Sequence, residues 1–454
     1  MSDGMLKESE AREGRTGFWR RAWGERGGRW GWGRWVLFVA AAAGIWWNPS
    51  SGLADALLVG AGVTALARPG RLWRAWGNPA GLAFGFLAAW AVASAGWSLE
   101  SGDVWRDCAK ALPLALGTMG LGAWLSGNGG LVARRAVWVS ASVVTVRLAV
   151  EGAELVRICG WSGVWSGARY VDVAGHSYLY THPNVSSMLA GMAALVFLAY
   201  WPALWKGRKG KGQGWRRVAL WAASAGIAAD VWYVVMMGSR GPQMAFAASA
   251  LLLPVFWLPG WKWRLAAVLA GVVAAWALVE GAGRINPRFN DTVTMRGANR
   301  RADIWRCARG RTEVRPWTGW GYGKRAFRRM IYEHPKLRAP RQLPFFFPHA
   351  HSYWLMLVVQ GGYVALLAGL AAWGGLAVGL LLALRRIPGR EMAARATPAL
   401  LLTLLAMVLG YGVADFPDSV LRTCQFLLAA AAVACIADAS EGSGGEGAED
   451  GVAG

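Results

Sequence analysis

Four of the chain's five histidines, His176, His182, His349 and His351, stand near polar residues at the edges of apolar runs. The fifth, His334, lies inside a long basic stretch. Imidazole has the unperturbed pKa closest to neutrality, so it suits general-base work. The run Pro348-His349-Ala350-His351-Ser352 sits where that basic stretch meets an apolar run. A histidine there reaches a substrate whose reactive group lies at lipid-headgroup depth; the competing reading is an imidazole bonded to headgroups. The HxH spacing also raises a metal site. With no third ligand close in sequence and few carboxylates in the stretch, no metal is expected. Residues two apart at a helix entrance point in different directions. His351, deeper toward the apolar run, is the favoured base, with His349 in a supporting role.

Three further elements carry polar chemistry. Gly238-Ser239-Arg240-Gly241-Pro242 is a tight turn between two apolar runs. An arginine there is costly unless it pairs or faces a wet cavity, which makes Arg240 a functional candidate; snorkelling to the interface is the alternative. Arg300-Arg301-Ala302-Asp303-Ile304-Trp305 is followed by Gly319-Trp320-Gly321-Tyr322-Gly323. Such glycines permit a tight turn with close backbone approach to an anion. Arg296, Arg300, His182 and Tyr322 join the list as candidate substrate-binding residues. His182-Pro183-Asn184 opens another apolar run, where Asn184 is expected either to cap a helix or to meet substrate.

The elements that must position these residues are membrane spans. Of 454 residues 55% are apolar and only 16% are charged, with the polar residues gathered between long apolar runs. Crossing about 30 Å of hydrocarbon takes about 20 apolar residues. Twelve candidate spans follow, at roughly 35–48, 52–67, 79–97, 109–125, 134–150, 185–204, 218–238, 243–259, 263–281, 352–383, 397–414 and 419–438. The first two are short. The tenth is too long for one straight span and is expected to break near Gly374-Gly375 or to project beyond the bilayer. The span interiors read as nearly free of charge. Thirty tryptophans fit interfacial belts,. The expected fold is all-α: a cytoplasmic basic tail at 1–34, nine spans over 35–281, a large outer loop at 282–351, three spans over 352–438, and a cytoplasmic tail at 439–454.

Lys and Arg in the short loops set the orientation. With the N-terminus in the cytoplasm, the inner loops hold Arg68, Arg71 and Arg74; Arg134 and Arg135; Lys206 to Arg217; Lys262 and Arg264; and Arg385 to Arg395. Most outer loops are neutral or acidic, as at Glu100, Asp103 and Asp107, or Asp415 and Asp418. The net charge of +22 would suggest nucleic acid on a soluble chain, but its placement between spans excludes that class,. The outer segment 283–350 breaks the charge pattern, with fourteen Arg and two Lys against four acids. Loops longer than about 60 residues escape the charge rule. Arginine grips phosphate oxygens through a planar fork, so this loop is suited to a polyanion, or else to anionic lipid headgroups. The five cysteines have no metal spacing, and a bridge from Cys159 to Cys307 is conceivable in an oxidising compartment,.

Taken in order, the Ser239-Arg240-Gly241 turn, Arg301 to Trp305, the glycine cluster, and His349 to Ser352 leading into Trp354-Leu355-Met356-Leu357 resemble the O-antigen ligase family. Its wider superfamily includes O-antigen polymerases and protein O-oligosaccharyltransferases, and the resemblance covers roughly residues 182–370. It implies a periplasmic active site in a bacterial inner membrane. A glycan moves there from an undecaprenyl-pyrophosphate carrier to an acceptor hydroxyl, on lipid A-core in a ligase. It also implies His351 or His349 as base and Arg240 and Arg301 as the pyrophosphate grip, with no cofactor or metal. The family usually has Asn after the second histidine and an acid before the next glycine pair; here Ser352 and Gln360 stand there. A polymerase of the same superfamily and a transporter or flippase of an anionic lipid or sugar are the rivals. A transporter should carry charges in mid-span.

Overall fold

The computed structural model describes residues 66–126, 131–166, 183–206, 214–258, 260–285, 298–325, 327–328, 349–388, 391–415 and 419–441, with residues 43–47 and scattered positions before 66. The first two expected spans, both tails, the side chain of Arg300, and His176, His182, Arg296 and His334 lie largely or wholly outside these. The described residues form helices and no strand. In chain order they are α1 (Pro69–Trp76), α2 (Pro79–Ala93), α3 (Ser101–Leu125), α4 (Leu131–Ser166), α5 (Pro183–Lys206) and α6 (Gly214–Met237). Then come α7 (Arg240–Trp257), α8 (Trp261–Ile285), α9 (Ala298–Thr312), α10 (Tyr353–Arg386), α11 (Met392–Ala414) and α12 (Ser419–Glu441).

Among the described residues eight helices are long and apolar enough to cross a membrane: α2 to α6 and α10 to α12. The expected spans at 243–259 and 263–281 are helices, α7 and α8, but are not among the eight. The most enclosed spans are α5 and α11. Small side chains there (Ala190, Ala193, Ala399) let backbones approach, which is how helices associate where lipid already matches their apolar faces,. Bulky α7 residues pack over them, with Phe246 against Gly191.

The long α10 breaks at Gly362 (φ 69°), twelve residues before the expected Gly374. The break frees carbonyls that an unbroken helix would use internally. Val359 O accepts from Trp320 N at 2.9 Å, Gln360 O from Gly321 N at 2.9 Å, and Pro316 O from Tyr363 N at 2.7 Å. The glycine cluster therefore stitches the segment between α9 and α10 to the broken helix. A Cβ on Gly319 would run into the Gln360 carbonyl, and one on Gly323 into the Asp107 carboxylate. An acid at that spot repels anions, so the anion-cradle reading of these glycines is replaced by a packing role.

Tryptophans complete the stitching. Trp90 donates to Gly361 O at 2.8 Å and Trp97 to Thr318 O at 2.9 Å. Arg315 donates to Trp97 O at 2.7 Å, and its guanidinium lies 4.6 Å from the Trp320 ring centre. Burial lowers the pKa of Arg311 on α9 and raises that of the Cys307 thiol. The thiol is thus kept in its inert form. The described residues contain no disulfide, so Cys159 and Cys307 are not bridged.

The spans are not free of charge. Arg147 and Glu151 on α4 are 1% and 0% exposed and lie 3.4 Å apart. Glu151 also accepts from Ser186 of α5 at 2.8 Å and Tyr233 of α6 at 2.9 Å. Asp230 accepts from Thr145 at 2.8 Å. Sequence reading missed these because single charges inside long apolar windows barely change mean hydropathy.

Candidate active site

His349 and His351 precede α10 rather than lying on it, because Ser352 is its N-cap and its side chain accepts from Leu355 N. His351 takes a left-handed backbone (φ 47°), a conformation that non-glycine residues adopt at a cost and that concentrates at functional sites,. That turn brings the two rings together, with centroids 4.3 Å apart and planes at 55°. The expectation of divergent histidines, drawn from helical geometry, is corrected here. Both rings occupy one spot, and both are partly exposed.

Nδ1 of His351 lies 3.2 Å from Oδ1 of Asp415, which follows the last residue of α11. Asp415 is buried. Its other oxygen, Oδ2, accepts from Tyr411 OH at 2.8 Å and from Asn184 Nδ2 at 2.9 Å. Its main-chain carbonyl accepts from Tyr353 N at 3.1 Å, tying the foot of α10 to the end of α11. The carboxylate is thus fixed from two sides and turns one oxygen toward the imidazole. An ionised carboxylate only accepts, so a neutral His351 bonded to it through Nδ1 carries its proton there and presents Nε2 as an acceptor.

The arginine-bearing elements converge on the same place. Ser239 donates to Asn184 Oδ1, which sets the turn carrying Arg240 beside the Asp415 network. Gly241 faces the Tyr411 ring, where a Cβ would come within 3.1 Å. Arg301 and Trp305 on α9 are four apart and share a helix face,. Trp305 Nε1 reaches His351 O at 3.4 Å. Asn184 is the second residue of α5 and serves this network instead of capping the helix. Tyr322 is placed by its amide, which donates to Ser94 Oγ at 2.9 Å. It borders an apolar cavity of about 190 Å³ lined by Trp90, Leu112, Met119, Leu357 and Trp373. Tyr353, two residues past His351, borders the same cavity.

Tyr411 was not among the expected residues, and Asp415 was noted only as an acid between apolar runs. The one available signal was an acid at the very end of an apolar span, which is a functional flag by default.

The fold and this site define a polytopic all-α membrane protein with a His–Asp pair at one end of its helix bundle. Residues 225–370 match the family model described as O-antigen ligase, and the match supports an O-antigen ligase family assignment. The matched stretch holds Arg240, Arg301, His349 and His351, while Asn184, Tyr411 and Asp415 lie outside it. No curated protein matches the chain.

Proposed function

We propose that this protein moves a glycan from undecaprenyl pyrophosphate to an acceptor hydroxyl, that of lipid A-core, at the periplasmic face of a bacterial inner membrane. The observation that carries the reading is the His351–Asp415 contact, with Asp415 held by Tyr411 and Asn184. Nε2 of His351 takes the acceptor proton as the acceptor oxygen bonds to the anomeric carbon. The bond from that carbon to the carrier phosphate breaks, and undecaprenyl pyrophosphate leaves. Asp415 holds the imidazole in its tautomer and stabilises the imidazolium that forms, the orienting role of a triad carboxylate. Arg240 and Arg301 meet the charge growing on the leaving pyrophosphate, where preorganised donors are most effective. No divalent ion enters this scheme, because the arginines supply the positive charge. The apolar cavity beginning at Tyr353 suits part of an isoprenoid chain, each buried methylene contributing about 0.8 kcal/mol,.

The test is the lipopolysaccharide ladder of a deletion strain. Loss of the ladder with long lipid-linked chains retained is the expected result. Accumulation of single repeat units would instead mean polymerisation. An unchanged ladder would sink both readings and restore the transport rival, to which the charges at Arg147, Glu151 and Asp230 would then belong.

Arg240→Lys and Arg301→Lys keep the charge and lose the bidentate fork. Each is expected to lose most transfer activity at normal protein level, measured by ladder restoration in the deletion strain. Near-normal restoration by both would reduce the arginines to steering charges.

A further inference from the structure

The sequence offers no third metal ligand near the HxH pair, but the fold supplies one. A ring nitrogen of His349, a ring nitrogen of His351 and a carboxylate oxygen of Asp415 all lie within 4.8 Å of one another. Two imidazoles and one carboxylate are the donor set of open zinc sites, which keep a fourth position for water or substrate. The 3.2 Å between His351 Nδ1 and Asp415 Oδ1 matches two ligands placed about 2.0–2.2 Å from one tetrahedral ion,. A metal there replaces the proton that the pair shares.

The outer shell is also built. Tyr411 and Asn184 occupy Oδ2 of Asp415, so the carboxylate is presented through one oxygen in a fixed direction. Partners of this kind orient first ligands and raise metal affinity. Ligation through Nδ1 of His349 would replace the long 3.3 Å bond from the His351 amide. The left-handed backbone of His351 already holds the two rings together, so little reorganisation remains. Arg301, on the same helix face as the Trp305 that bonds His351, opposes any cation and limits affinity. It disfavours hard, strongly hydrated magnesium most, since two imidazoles offer that ion little in return.

We propose that His349, His351 and Asp415 bind a divalent transition ion of the zinc class, and that this ion blocks transfer by occupying the His351–Asp415 pair. Binding stands on the geometry alone, whereas the block rests on the base role given to His351 above.

The test uses full-length, tag-free protein in detergent with neither donor nor acceptor present. Titration with zinc chloride in a calorimeter is expected to show one ion per chain, with excess magnesium failing to compete. Tyr411→Phe keeps all three ligands and should weaken zinc binding about 10–100-fold. His349→Ala and Asp415→Asn should weaken it further. Cobalt in place of zinc should give the intense visible bands of a four-coordinate site in the wild type, a readout that needs no variant. Absence of those bands with no zinc heat would overturn the proposal. So would unchanged binding in both ligand variants, or displacement by equimolar magnesium. In the transfer assay, zinc should inhibit and excess chelator should restore the full rate. Zinc that binds at this site without inhibiting would leave the metal site standing and remove His351 as the base.

Discussion

His351→Ala is expected to lower glycan transfer by about 10²–10⁴-fold while donor binding survives, since that is the range a general base contributes. Asp415→Asn should fall in the same range. The amide keeps the volume and can still receive a hydrogen bond from Tyr411, but it cannot stabilise an imidazolium and favours the wrong tautomer. Tyr411→Phe removes only one of the two bonds that fix Asp415 Oδ2, so its loss should be the smallest. His349→Ala should lie between, because its ring packs beside that of His351 in the supporting position. The measurement is single-turnover transfer with purified donor and acceptor, alongside donor binding. Full activity in both His351→Ala and Asp415→Asn would end the general-base proposal.

The second large effect is on stability. Glu151→Ala strips a fully buried carboxylate from Arg147, Ser186 and Tyr233 at once. Removing one partner of a buried pair costs about 3–5 kcal/mol, because the remaining charge stays desolvated. Replacing both charges, Arg147→Met with Glu151→Leu, should recover most of that loss, since the desolvation penalty goes with the pair. Thermal unfolding in detergent reads both variants. The network joins α4, α5 and α6 just beneath Asn184 and Ser239, so Glu151→Ala should also loosen the active site. A Glu151→Ala protein as stable as wild type would mean that water or lipid already solvates Arg147.

The positions of the apolar helices were legible because the membrane imposes a length that sequence alone must satisfy: about 20 residues at 1.5 Å each. From α2 onward each expected span corresponds to a helix. The Arg240 turn, Arg301 and the histidine pair stand out in the sequence as polar residues beside apolar runs, without any knowledge of packing, and the fold brings the elements that carry them together.

What escaped the sequence were relations between distant residues. The partner of His351 is 64 positions away, and that of Asp415 on α5 is 231 away. No periodicity links them. Only the packing of α11 against both α5 and α10 brings them together. The glycines show the same limit. Their freedom of φ was evident, but whether an anion or another backbone fills the space beside them depends on what folds against them. Here α10 breaks at Gly362 and offers its carbonyls to the loop. Likewise the Ser186 and Tyr233 hydroxyls that bond the buried Glu151 arrive from other helices, a relation written in tertiary contacts and nowhere in the local pattern.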